Sequence, residues 1–345
     1  MSGELANGPR VRHDPEGVGS SLLAEIPMET QPRPAMWKTL LAFAIIYFVW
    51  GSTFLAIRVG VHEVPPLLFA AMRFLVAGLV LYGWMVARGE RSPTARQWTA
   101  VSLLAVLIFV LDYGSLFWAE QRVPSGIAAV MLATIPVFMS LSEVVFLGTQ
   151  RLTLRLATAL LIGIAGVAML MAPWLHFTGA PIDTFGAAAL IFASITWSVA
   201  STLSRKLPLP HSKVMSSGAQ MLAGGVFLTL AAAAFGEFRN FHPSTISRGV
   251  WFSLLYLIVA GSIIGFTAYV WLLHHESPTK VGTYAYVNPV VAVLIGYFLG
   301  GEPLALRTIL GTALILISVL AITTMPAKKP AEESLMAEAQ EVAGS

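Results

Sequence analysis

The chain has no cysteine in its 345 residues, so it forms neither disulfides nor thiolate metal sites. Charge is scarce as well, at 11% of residues, where soluble domains carry roughly a quarter. So few charges cannot clothe a soluble globular surface of this size. No Gly-rich phosphate loop opens a helix, and no histidine lies mid-way along an apolar run where it could activate a serine. His274 and His275 sit at the end of such a run, with Glu276 as the sole close acid, which is a poor metal site. No catalytic residue, metal or cofactor is therefore expected. The net charge of +3 and isoelectric point near 9.2 come from basic residues scattered singly through loops, not from a basic face, and nucleic acid is not expected as a partner.

What is abundant is apolar. Hydrophobic residues make up 56% of the chain and mean hydropathy is +0.75. They fall in runs of about twenty, the length that crosses a ~30 Å hydrocarbon core as a helix. The runs predict ten transmembrane helices over 39–60, 66–87, 98–118, 124–147, 153–172, 183–204, 213–235, 250–273, 279–299 and 305–324. Membrane strands would be about ten residues long and alternate in character. Residues 1–38 and 325–345 are charged and proline- or alanine-rich and read as disordered tails, the first with no apolar core of a cleavable leader. If both ends share one side, that side collects fifteen of the 21 Lys and Arg residues and the other side four. Both termini are therefore expected in the cytoplasm, with a bacterial cytoplasmic membrane as the setting.

The chain also repeats itself. Trp50 and Arg58 stand eight apart at the end of the first span, as do Trp197 and Arg205 at the end of the sixth, displaced by 147 residues. At the same displacement Arg73 aligns with Gln220. Trp98 and Trp118 bracket the third span as Trp251 and Trp271 bracket the eighth, and Pro136 of the fourth matches Pro289 of the ninth. An ordered series in which Trp, Arg and Pro recur is not the chance likeness of greasy helices. Each half, 39–172 and 183–324, holds five spans. An odd number obliges the second half to enter the membrane from the opposite side, so the expected fold is all-α, two inverted five-helix repeats.

Trp50-Gly-Ser-Thr-Phe with Arg58, Arg73-Phe, the run from Ala119 to Ala129, Tyr286-Val-Asn-Pro289 and the Leu299-Gly-Gly-Glu-Pro303 turn together resemble the EamA-domain family of the drug/metabolite transporter superfamily. The resemblance covers almost all of residues 39–324. It implies ten helices with an inverted pseudo-twofold, a central cavity, and export of amino acids, their relatives or other amphipathic metabolites. The first half departs from the pattern, with Thr149-Gln150 where the second has Gly301-Glu302.

Charge within a span costs about 2.5–3.5 kcal/mol at a helix centre. Arg73 and Asp112 lie at equal depth, ~12 Å below the outer surface at 1.5 Å per residue, which suggests an ion pair, either structural or coupling a proton or substrate to movement. Glu143 reads as an interfacial acid and Glu120 as a solvated one, and Arg58 is near enough to a helix end to reach water. Gln220 either lines a cavity or ties two helices together. Pro289 frees a backbone carbonyl beside Asn288, which is a substrate contact or a local kink. Trp50 and Trp197 lie mid-span rather than at an interface. With Thr53, Tyr113, Ser201, Tyr269, Tyr286 and neighbouring Tyr284 they form the candidate cavity lining, core packing being the alternative for any single ring.

The expected function is a secondary transporter that exports small amphipathic metabolites by alternating access, with a small-molecule substrate and the lipid bilayer as partners and homodimerisation left open. An uptake permease of the same fold, an intramembrane lipid-modifying enzyme and a non-transporting scaffold are the alternatives.

Overall fold

The computed structural model describes residues 34–123, 128, 131–177, 183–300 and 306–325. Among them every regular element is helical. In chain order the longer ones are α1 (Met36–Val61), α2 (Pro66–Ala87), α3 (Ala95–Glu120), α4 (Ile135–Leu147), α5 (Leu154–Phe177), α6 (Thr184–Leu203), α7 (Lys213–Ala234), α8 (Arg248–His275), α9 (Tyr284–Gly300) and α10 (Leu306–Thr323). Of these, α1, α2, α3, α6, α7 and α8 are long and apolar enough to cross a membrane, while α4 and parts of α5 and α10 form shorter apolar helices. The expected ninth span does not begin at 279. A separate short helix, Pro278–Gly282, precedes α9, and Thr283 divides them. Residues 1–33 and 326–345 of the expected tails, the start of the expected fourth span and the Gly301-Glu302 turn lie outside the described residues, while Met36–Lys38, expected in the first tail, belong to α1.

Polar side chains begin the helices where the chain leaves the apolar layer. Thr94 and Gln97 form a reciprocal capping box at α3, and Asp183, Ser212 and Ser247 accept from the first-turn amides of α6, α7 and α8. Leu55, Leu161, Leu230 and Leu320 point outward and are exposed, whereas Arg73, Asp112, Gln220 and Asn288 are buried. That inversion of the soluble pattern suits a protein whose outer solvent is lipid.

Small residues bring helices together where no water drives packing. Gly78 leaves so little space that a Cβ there would lie 2.3 Å from the Leu222 backbone nitrogen, and one at Gly225 would lie 2.5 Å from Leu75. With Gly218 against Tyr82, these contacts show that α2 and α7 run antiparallel. The pair α5 and α10 is antiparallel too, since Arg155 reaches Thr324, the Ala159 carbonyl accepts from Ser318, and Gly166 packs on Gly311. The other contacts occur in matched sets. Helix α1 packs on α8 and α9 as α6 packs on α3 and α4, and α2 meets α8 as α7 meets α3. Both α3 and α8 widen into π-helix mid-way, over Val106–Tyr113 and Leu257–Phe266, at equivalent places in the two halves.

Candidate functional site

Five elements converge on one narrow cavity of about 50 Å³. Trp50 and Thr53 come from α1, Asp112 and Tyr113 from the π-helical stretch of α3, Trp197 from α6, and Tyr284 and Asn288 from α9. Apolar walls include Phe54, Ile57, Leu132 and Ile135. A π turn displaces its side chains from regular α-helical phase, a device common at functional sites, and here it carries the acid that faces the cavity.

The aromatic residues form a connected wall. Trp50 meets Trp197 edge-on at 5.6 Å between ring centroids and Tyr284 at 4.8 Å, and Tyr113 meets Trp197 at 5.8 Å. Tyr269 packs behind, 5.0 Å from Trp50 and 4.9 Å from Trp197. Trp50 is fixed by its indole N–H donating to the Gly261 carbonyl at 3.0 Å. A Cβ at Gly265 would stand 2.6 Å from that indole nitrogen. At the 153-residue displacement of Trp98 and Trp251, Gly265 is the counterpart of Asp112. Corresponding positions of the two halves thus supply a carboxyl group in one and the space for Trp50 in the other.

The polar groups differ in how far they are satisfied. The Thr53 hydroxyl donates to the Trp50 carbonyl on its own helix (2.8 Å). The Asn288 side-chain oxygen is buried with no partner among the described residues. Ser201, Gln220 and Tyr269 line a second, smaller pocket with His274. There Ser201 bonds the Tyr269 hydroxyl, and Gln220 donates to Ser216 of its own helix at 3.0 Å. Tyr286 does not face the cavity. Its hydroxyl donates to the Leu160 carbonyl at 3.0 Å, and its ring lies against Gly163, which joins α9 to α5.

The expected Arg73–Asp112 ion pair does not form among the described residues, where Lys280–Glu276 is the salt bridge found. Arg73 turns instead toward α8 and donates from Nε to Ser262 at 2.8 Å, its guanidinium 4.6 Å from the Phe74 ring and 5.3 Å from the Tyr113 ring. Equal depth was insufficient for pairing because the two side chains leave their helices in different directions.

Two acids depart from their expected surroundings. Glu143, read as interfacial, is 1% exposed and accepts from the Thr279 amide (3.0 Å), the Thr279 hydroxyl (2.6 Å) and the Thr149 hydroxyl (2.9 Å). It thereby ties α4 to the start of helix Pro278–Gly282. Nearby, Arg205 donates to the Glu276 carbonyl at 2.6 Å, and burial draws its pKa below the ordinary value against the pull of the Glu143 and Glu276 carboxylates. Glu120, read as solvated, is 2% exposed and buried at the end of α3. His274 and His275 each bond a carbonyl of their own helix through Nδ1, and no cluster of metal-binding side chains occurs among the described residues.

In the loop after α1, Glu63 accepts from the Ser247 amide at 2.7 Å and its hydroxyl at 2.8 Å, and these bonds hold its pKa below the usual carboxylate value. Glu237 reciprocates, accepting from the amides of Leu67 (3.3 Å) and Leu68 (2.8 Å) at the start of α2.

Comparison with known proteins agrees with this architecture. The EamA-like transporter family matches the chain twice, over residues 37–172 and 184–324. The chain is similar to the uncharacterized inner membrane transporter YedA of Escherichia coli K12, 37% identical over 284 residues that cover 82% of this chain and 89% of the relative. It is also similar to the uncharacterized transporter YoaV of Bacillus subtilis, 24% identical across 81% of this chain and 94% of that one. A solved crystal structure shares the fold at a TM-score of 0.64 and 22% identity, spanning 83% of this chain and 97% of its own. Paired matches along one sequence of apolar helices, with an inner-membrane relative of this identity, place the chain in the EamA-like transporter family, as an integral multi-pass membrane protein.

Proposed function

We propose that the chain is a secondary transporter that moves small amphipathic metabolites, amino-acid relatives among them, out of the cell by alternating access. The observation that carries this reading is the cavity itself. Its lining comes from both halves of the sequence, α1, α3 and α4 on one side and α6 and α9 on the other, and it presents a carboxyl group and an amide oxygen without a partner among the described residues to an aromatic wall. A chamber shared in this way opens to one side or the other when the halves rock against each other.

Ten membrane spans in two inverted repeats complete the proposal. The antiparallel courses of α2 with α7 and of α5 with α10, and the matched contacts of the remaining helices, support it. Both termini then lie in the cytoplasm. The cavity is too narrow for a metabolite, as about 50 Å³ holds only a few waters, so it corresponds to a closed stage of the cycle. Asp112 is the group through which protons would couple to transport, and facilitated diffusion is the simpler scheme if they do not.

The test is flux in proteoliposomes. Export predicts saturable movement of a labelled metabolite that Thr53→Trp, which fills the cavity, abolishes while leaving the protein folded. Flux that Thr53→Trp leaves unchanged would place the pathway elsewhere.

A further inference from the structure

We infer that the cavity selects compact organic cations, an ammonium group on an apolar body, over zwitterions and anions. This rests on the transport reading above and narrows its substrate class. Three features point the same way. Asp112 is the ionisable acid of the lining, and no Lys, Arg or His lines the cavity among the described residues. Arg73, a buried cation, is not among the lining residues: its Nε donates to Ser262 and its guanidinium lies 5.3 Å from the Tyr113 ring, with Nη1 left without a partner among the described residues. An anion entering the cavity would find no cationic side chain in the described lining, only the unpartnered indole N–H of Trp197, and a zwitterion would set its own carboxylate beside Asp112.

The second feature is the wall. The rings of Trp50, Tyr113, Trp197 and Tyr284 touch one another, so a cation would lie on the surface they share and not between them. The negative π faces attract a desolvated ammonium. The third is the Asn288 side-chain oxygen, buried and without a partner among the described residues, an acceptor for an N–H donor. Phe54, Ile57 and Ile135 take the apolar body. Carboxyl group, ring faces and amide oxygen are all complementary to positive charge. Among the described residues the lining holds one acid, Asp112, and fits one positive charge.

The test uses three probes built on one skeleton: 2-phenylethylamine as the cation, phenylalanine as the zwitterion and 3-phenylpropionate as the anion. Each is offered to the full chain in proteoliposomes, and binding is read independently by intrinsic tryptophan fluorescence, to which Trp50 and Trp197 of the cavity wall contribute. Flux and fluorescence change are expected for the amine alone. Asp112→Asn should weaken amine binding by about tenfold or more, as loss of a charge-assisted hydrogen bond does, with partial recovery in Asp112→Glu. Tyr284→Leu, which keeps the acid, should weaken it several-fold and guards against a misfolded Asp112 variant. Preference for phenylalanine or phenylpropionate would overturn the cation inference and leave the transport proposal standing. Equal amine binding by wild type and both variants would also overturn it. If none of the probes moves or binds, and no other metabolite is carried, the transport reading fails and this inference with it.

Discussion

Replacing Glu143 with alanine should destabilise the protein by about 2–4 kcal/mol. The carboxylate accepts three hydrogen bonds, two of them from the buried amide and hydroxyl of Thr279. The Thr149 hydroxyl is exposed and can turn to water, so its loss costs little. The two Thr279 donors would be left unsatisfied at about 1–3 kcal/mol each. Removing a buried charge returns part of its desolvation penalty, which holds the net effect below their full sum. The Thr279 amide is also one of the free donors at the start of helix Pro278–Gly282, so the lead-in to α9 should loosen first. Glu143→Gln keeps an accepting oxygen and should recover about half the loss. Denaturant titration of purified protein, followed by tryptophan fluorescence, measures the difference. A Glu143→Ala protein within about 0.5 kcal/mol of wild type would refute the buried-acceptor reasoning.

Gly78→Leu drives a side chain into the Leu222 backbone, which cannot yield as a flexible side chain could, and should abolish a monodisperse peak in fluorescence-detected size exclusion. Gly265→Ala should displace the Trp50 indole, break its bond to Gly261 and lower flux several-fold with little loss of fold, read by transport alongside melting temperature. The pKa of Glu63 is lower in the folded protein than in the unfolded chain, so at pH values between the two the unfolded state binds more protons. Its stabilising contribution should be present at neutral pH and lost as pH falls through the folded value, and Glu63→Gln should flatten that acid limb in a series of melting curves.

The helical, membrane-spanning character of the chain was legible because apolar run length and charge scarcity are properties of the sequence itself. Trp50 and Trp197 stood out by their mid-span places in the sequence, and the two rings meet in the structure. Which side chains share a face was partly legible. Tyr284 and Asn288 are four apart and fall on one helix face, whereas Tyr286 is roughly 200° round from Tyr284 and turns to α5. That spacing already favoured Tyr284 over Tyr286 as cavity lining. The π-helical stretches were not legible, since nothing in Val106–Tyr113 or Leu257–Phe266 announces a wider turn. Asp112 lies on one of them, and Ser262, the partner Arg73 takes, lies on the other. Glu143 was misjudged because its partner, Thr279, belongs to the other half of the sequence, and nearness to a helix end gives no view of it.

The absence of cysteine allows a direct test of the shared chamber, because one introduced thiol has no background. Thr53→Cys places that thiol in the cavity, at a position whose hydroxyl, among the described residues, bonds its own helix. Its labelling by a membrane-impermeant maleimide can be measured in sealed vesicles of each orientation. Alternating access predicts labelling from both faces, slowed from both by a transported solute. A thiol reached from one face alone, whatever the solute, would contradict it.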